Sequence, residues 1–274
     1  MPLLSVVQMN SQNLIEDNFI EIERLMQQSK AEGAELIVFP ENFVCFAAGK
    51  QRETAEQFEH IQRRLEQLAH HYNLWIIAGT LPCPFRPDGS TIKDGRVRTT
   101  SLCISPEKTE GRYDKIHLFD VQVGDAVGGY QESKVFEPGD KPVVIHTPFG
   151  QIGLMVCYDL RFPELALTLR QRGANILTAP AAFTYTTGQL HWQLLLQARA
   201  MDSQCQVLGA AQQGWHGEKR QTWGHAAAAD SRGQLLAMVN NEGPGLITVP
   251  FDLQEQQFVR NSMPLMQHRK LVTF

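Results

Sequence analysis

No apolar run among the 274 residues approaches the roughly 20 that a helix needs to cross a bilayer. The opening MPLLSVVQMN lacks a basic start and a small-residue cleavage site. No secretory leader is read there, and a cytoplasmic location with no membrane partner is expected. There is no basic tract either, and the formal net charge is -4, so no nucleic-acid partner is expected. Cysteine is sparse: Cys45, Cys83, Cys103, Cys157 and Cys205 are scattered without a CxxC pair. That spacing indicates neither a zinc site nor a disulfide framework, and free thiols suit a reducing compartment. A flexible linker and an internal repeat are missing too, so one domain over residues 1–274 is the simplest organisation.

What is present alternates in period. Leu3–Met9 is short, apolar and β-branched, as a strand should be. Ile15, Phe19, Ile22 and Met26 then recur at helical spacing, with Gly33 as a stop. Glu35–Phe39 is a second strand, ended by Pro40, which gives strand–helix–strand. Phe58, Ile61, Leu65, Leu68 and Ala69 predict a helix; Leu74–Thr80 and Arg96–Ser105 predict strands. Pro106–Gly111 reads as a turn and Asp120–Asp140 as a long surface loop. Strands follow at Val143–Thr147 and Ile152–Val156, a helix near Pro163, and a strand at Asn175–Thr178. A helix over Gly188–Ser203 has Leu190, Leu194, Ala198 and Met201 on one face. Cys205–Gln212 is a strand, Gln213–Gln221 a polar loop, and His225–Asp230, Leu235–Val239 and Leu246–Phe251 are strands. That is more strand than one doubly wound sheet needs, and two sheets with helices outside would hold it.

One stretch carries chemistry. In QIGLMVCYDLRFPEL (Gln151–Leu165) an apolar strand ends at Cys157, and Pro163 suits the first turn of the next helix. A cysteine at a strand end near a helix N-terminus can become a thiolate nucleophile. Alone, such a cysteine also reads as core packing. Two other strand-end residues matter: Glu41 after LIVFP and Lys115 in YDKIHLF. Sites in α/β sheets form outside the carboxyl ends of strands. A thiol, a carboxylate as general base and an ammonium at the oxyanion would cleave an amide there. Each has a plainer reading: Glu41 as a helix cap, Lys115 as a solvated charge. His117, His191 and His225 also read as structural when taken singly.

FPEN (Phe39–Asn42), YDKIHLFD (Tyr113–Asp120) and CYDLRFPEL (Cys157–Leu165) resemble, in order, the three signature blocks of the nitrilase superfamily. The resemblance implies an αββα sandwich. It also implies a Glu41-Lys115-Cys157 triad that hydrolyses a non-peptide carbon–nitrogen bond without metal or cofactor. YQESK places the family's second loop glutamate at Glu132, where it would position the lysine; Tyr158 is a further supporting residue. A homodimer or larger homo-oligomer is expected on the same ground. Thr186–Val207 resembles two amidase branches, one acting on deaminated glutathione and one of ω-amidase type. HGEKRQTWGH (His216–His225) leans to the first and YQESKVFEPGD to the second. Those relatives have Gly-Pro-Ala-His-Trp-Glu where this chain has Gly188-Gln189-Leu190-His191-Trp192-Gln193, beside the expected pocket. Candidate substrate-binding residues are Arg161, Phe183, His191, Lys219 and Arg220. Arg161 could instead pair with Asp159 or Glu164 within its turn. The expected partner is a small carboxylate-bearing amide: deaminated glutathione, split into 2-oxoglutarate and cysteinylglycine. The rival is 2-oxoglutaramate losing ammonia. A reading from another class is an idle scaffold on the same fold.

Overall fold

The computed structural model describes residues 1–124 and 127–271. β1 (Leu3–Met9), β2 (Leu36–Val38) and β3 (Trp75–Cys83) run parallel at the centre of one sheet. α1 (Ile15–Ala31) connects the first pair, and α2 (Gln51–Glu56) and α3 (Phe58–Tyr72) the second. β4 (Arg98–Ile104) and β5 (Thr109–Asp114) continue this sheet antiparallel. β6 (Asp120–Gln122) and β7 (Gly129–Gln131) form a separate ribbon. β8 (Val144–Thr147), β9 (Gly150–Leu154), β10 (Ile176–Thr178) and β11 (Gln206–Gly209) belong to a second sheet. α4 (Pro163–Gln171) and α5 (Tyr185–Ser203) lie between these last strands in the chain. β11 then runs into β12 (Ala211–His216), which pairs with β1 and with β13 (Arg220–Trp223) in the first sheet. β14 (Ala227–Ala229) and β15 (Leu235–Met238) complete the second sheet, and β16 (Gly245–Pro250) returns to β1. α6 (Leu253–Ser262) and α7 (Leu265–His268) end the described chain. Among the described residues no helix is long and apolar enough to cross a membrane.

The strand period of two creates the layers. Leu4, Val6, Leu36, Val38, Ile77 and Cys103 face the second sheet and pack with Ile152, Leu154, Ile176 and Val207. Their neighbours Val7, Met9, Ile37, Ile76, Leu102 and Ile104 face outward, against Phe19, Ile22, Leu25 and Met26 of α1 and Phe58, Ile61 and Leu65 of α3. α1 has no side-chain N-cap. Its docking rests on that apolar stripe, each side chain of which stabilises by ~1.5–3 kcal/mol when fully buried. On the far side, Gly153 makes room for Leu169 of α4, and Gly209 for Trp192 and Leu196 of α5. The order is helix, sheet, sheet, helix, the αββα sandwich that the sequence led us to expect.

Several local expectations are corrected. β5 already starts at Thr109, inside the expected turn. The expected loop after Asp120 contains the β6–β7 ribbon and a 3₁₀ turn at Glu132–Lys134. The polar stretch Gln213–Gln221 is mostly a hairpin. Gly214 and His216 are the buried residues of that stretch, and neither signals a strand by hydrophobicity. On α5 the buried stripe is Trp192, Leu196, Arg199, Ala200 and Ser203. Leu190, Leu194 and Met201 stand on the other side, 66%, 64% and 52% exposed. Hydrophobicity alone marks the wrong face there, because the inward stripe carries small and polar residues.

Two glycines shape the strand ends where the site forms. A Cβ on Gly79 would lie 1.9 Å from the Pro40 carbonyl oxygen, and one on Gly139 would lie 2.1 Å from that of Asp114. Any side chain at either position would displace the backbone just before Glu41 or Lys115.

Candidate active site

Glu41 follows β2 where Pro40 ends the ladder. Phe39 makes the last bond, its N–H to Ile77 O at 3.0 Å. The next residue, Asn42, sits at φ +55° and donates its N–H to Thr80 Oγ1 at 2.9 Å. Gln212 Nε2 donates to the Glu41 carbonyl at 2.9 Å. Lys115 follows β5, held by its own N–H on Thr99 O and by the Gly139 N–H on its carbonyl. Glu132 opens the 3₁₀ turn after β7. Cys157 follows β9 and begins a 3₁₀ turn over Cys157–Arg161. Its φ is +48°, a conformation strained for any residue with a Cβ. Its N–H is taken by Pro180 O at 2.9 Å.

These strand ends bring the side chains together. Lys115 is 1% exposed, and its Nζ donates to Glu41 Oε1 at 3.0 Å and to Glu132 Oε2 at 2.9 Å. Glu132 Oε2 also accepts the Phe119 N–H at 2.8 Å. Burial alone would lower the pKa of the ammonium. The carboxylates of Glu132 and Glu41 and the nearby Cys157 outweigh that and hold it well above the ordinary lysine value. The Cys157 thiol is pushed well above its ordinary value, by burial first and by Glu41 second. Lys115 and the Ala182 backbone N–H oppose this without reversing it. The turn is a short 3₁₀ segment, and two carboxylates face one ammonium.

A third carboxylate ties the lysine segment to the cysteine turn. Asp159 is fully buried. Its Oδ2 accepts the Tyr113 hydroxyl at 2.7 Å and the Val156 N–H at 2.8 Å. Its Oδ1 accepts the His117 N–H at 3.1 Å and Nδ1 at 2.7 Å. A carboxylate only accepts, so Nδ1 of His117 carries a proton. The imidazole lies flat on Phe162, with ring centroids 3.7 Å apart. Burial raises the Tyr113 phenol well above its ordinary pKa, and Asp159 adds to this.

The resulting pocket has about 300 Å³ of space, part of it open to solvent. Glu41, Glu132, Cys157, Tyr158, Arg161, Phe183 and Arg220 line it, with Phe119, Ala182, Thr184 and Thr187. Arg161 pairs with neither Asp159 nor Glu164. Its guanidinium lies 5.2 Å from the Phe183 ring and 6.0 Å from that of Tyr158, and Nη1 is 3.3 Å from His191 Nδ1. His191 thus stands behind Arg161 and does not line the pocket. Gln189, Leu190 and Gln193 are exposed on α5, so most of the altered Gly188–Gln193 segment faces away from the pocket. Lys219 lines a neighbouring groove. His225 stacks on Trp223 outside the pocket, so its structural reading stands. Among the described residues no group of three or more His, Cys, Asp or Glu could hold a metal ion. Sequence reasoning missed the roles of Asp159 and Tyr113, although both lie inside the quoted blocks.

The carbon–nitrogen hydrolase family model matches residues 3–261. The deaminated glutathione amidase of Yersinia enterocolitica is 39% identical to this chain, over 98% of this chain and 93% of the relative. That of a Synechocystis strain is 40% identical over 98% of both. Among solved structures, Saccharomyces cerevisiae Nit3, a member of branch 10 of the nitrilase superfamily, superposes with a TM-score of 0.86. It is 28% identical, over 98% of this chain and 97% of that one.

The Asp159 network makes a specific demand. Asp159→Asn turns an NH₂ toward two buried donors, which should cost ~2–4 kcal/mol of stability. It should also lower kcat by ~10²-fold through misplacement of Cys157 against Lys115, with KM moving less. Thermal melts and kinetics on the variant check both, and a melting loss with unchanged kcat would reduce Asp159 to a purely structural role.

Proposed function

We propose a reaction for this chain, which belongs to the carbon–nitrogen hydrolase family and is an amidohydrolase: cleavage of deaminated glutathione into 2-oxoglutarate and cysteinylglycine. One observation carries the reading. Glu41, Glu132, Cys157 and the guanidinium of Arg161 border a single small pocket, and buried Lys115 is bonded to both glutamates. The names of the relatives from Yersinia and Synechocystis support the choice of substrate.

In this reading the Cys157 sulfur attacks the amide carbonyl while Glu41 accepts the thiol proton. A thiol held protonated needs such a base. Glu41 then passes the proton to the departing nitrogen, the C–N bond breaks, and the 2-oxoglutaryl group remains as a thioester. Water deprotonated by Glu41 hydrolyses that thioester, and the thiol is restored. An ammonium has three donors. Glu41 and Glu132 occupy two on Lys115, and the third, with the Tyr158 N–H, faces the oxyanion. Arg161 has no carboxylate partner among the described residues. The 2-oxo acid's carboxylate is the partner proposed for it, with Phe183 and Tyr158 as apolar walls and His191 fixing the guanidinium from behind.

The test compares deaminated glutathione with 2-oxoglutaramate, which share the acyl part. kcat/KM should favour deaminated glutathione by ~10-fold or more, the scale at which a site that uses the larger group discriminates. Cys157→Ala, with an unchanged circular dichroism spectrum, should turn over neither. Preference for 2-oxoglutaramate would make the chain an ω-amidase, and turnover of neither by the wild type would overturn the proposed substrate.

The reading extends to assembly. Leu190, Leu194 and Met201 form one exposed apolar stripe on α5, and a second copy of the chain is the proposed cover, giving a homodimer. Leu194→Asp should then sediment as a monomer and the wild type as a dimer; a monomeric wild type would remove the proposal.

A further inference from the structure

A second, larger space adjoins the pocket and has no part in the chemistry described so far. It is a groove of about 1690 Å³, its open mouth included. Asn13, Phe46, Gln51, Gln131 and Lys219 contribute to its walls. Arg220 is common to the groove and the pocket. Its guanidinium lies 4.6 Å from the Phe46 ring and 5.1 Å from that of Tyr130. Nη2 reaches Ala182 O at 3.4 Å, and the Ala182 N–H contacts the Cys157 sulfur. Arg220 therefore stands at the join, one residue's width from the nucleophile. Arg220 is half-buried, and no carboxylate among the described residues pairs with its guanidinium. A ligand acceptor at the join would supply a missing partner.

The two ends of the substrate can be assigned from this layout. Arg161, Phe183 and Tyr158 close one end around the acyl carboxylate. With the scissile carbon at Cys157, the nitrogen side then extends past Arg220 into the groove. A dipeptide spans ~7 Å when extended. Lys219 directly precedes Arg220 in the chain and is exposed on the groove's wall. Asn13, Gln51 and Gln131 offer amides that can match a peptide's donors and acceptors.

We propose that this groove is the leaving-amine subsite, built for a peptidyl amine with a free C-terminal carboxylate. The Arg220 guanidinium binds the peptide carbonyl next to the scissile bond, and Lys219 binds the terminal carboxylate. The assignment rests on the acyl-enzyme reading of the pocket given above. Ammonia, as a leaving group, uses none of these contacts, so the groove is what separates deaminated glutathione from 2-oxoglutaramate.

The test is a cycle between ligand and protein. kcat/KM is measured for deaminated glutathione and for its C-terminal amide, with the wild type and with Lys219→Met. Amidation should cost the wild type ~5-fold, the upper range for one partly solvated charge pair. It should cost Lys219→Met nothing further, because the two changes remove one contact. The wild-type penalty should also shrink at high salt. The substitution lies at an exposed turn, and the wild-type comparison of the two substrates needs no variant at all. Losses that multiply, or no loss from amidation, while the wild type still hydrolyses deaminated glutathione, would overturn the subsite and leave the proposed function standing. A wild type that hydrolyses 2-oxoglutaramate but not deaminated glutathione would overturn both.

Discussion

A lysine ammonium held out of water between two carboxylates is the constraint on which the rest of this molecule depends. Burying a lone ammonium costs several kcal/mol even after relaxation, and Lys115 is 1% exposed. Glu41 and Glu132 offset that cost only if three separate segments arrive at one point: the end of β2, the end of β5 and the turn after β7. The backbone is cut to allow it, with Gly79 against Pro40 and Gly139 against Asp114. The sandwich supplies the rigidity. The strands that deliver Glu41 and Cys157 lie in different sheets, packed face to face through Val38, Ile77, Leu154 and Ile176.

The charge balance of that cluster decides the chemistry at the sulfur. Two carboxylates around one ammonium leave little cationic field for a thiolate, and burial disfavours it further. The proposed cycle therefore moves a proton through Glu41 and does not start from a preformed thiolate. Asp159 complements this by taking four donors from the lysine segment and the cysteine turn. In the proposed reading the aromatic walls and Arg161 select what enters, and Arg220 marks where the leaving side begins.

Much of this was legible in the sequence, for a physical reason. β1, β2, β3 and the helix α1 are local patterns of period two or 3.6, and the layering follows from them. Glu41 and Cys157 each follow an apolar strand, and both, with Lys115, lie within blocks that resemble a known family. What was not legible depends on partners far away in the chain. Asp159 reaches Tyr113 across 46 positions, and its own neighbours give no hint of that bond. The β12–β13 hairpin buries His216 by bonding its ring to Ser11 O and Thr222 Oγ1, so a polar sequence forms a strand. Burial lowers the pKa of that imidazole to about 4, which keeps it neutral where it packs on Phe46. The inward face of α5 is not marked by hydrophobicity, because Arg199 and Ser203 lie in it. The position of Cys157 before a helix does not reveal its favoured charge state, because burial first and Glu41 second push the thiol up.

The central claim is that Cys157 rests as a thiol and is deprotonated by Glu41 during attack. Thiolate ultraviolet absorbance tests it most directly, as the difference between wild type and Cys157→Ala from about pH 5 to about pH 9, through the ordinary cysteine range. The account predicts no thiolate from Cys157 near neutrality. In Glu41→Gln, where the nearest opposing carboxylate is gone, thiolate should appear at lower pH than in the wild type. A full thiolate signal from wild-type Cys157 at about pH 7 would show a resting ion pair with Lys115 and would contradict the account.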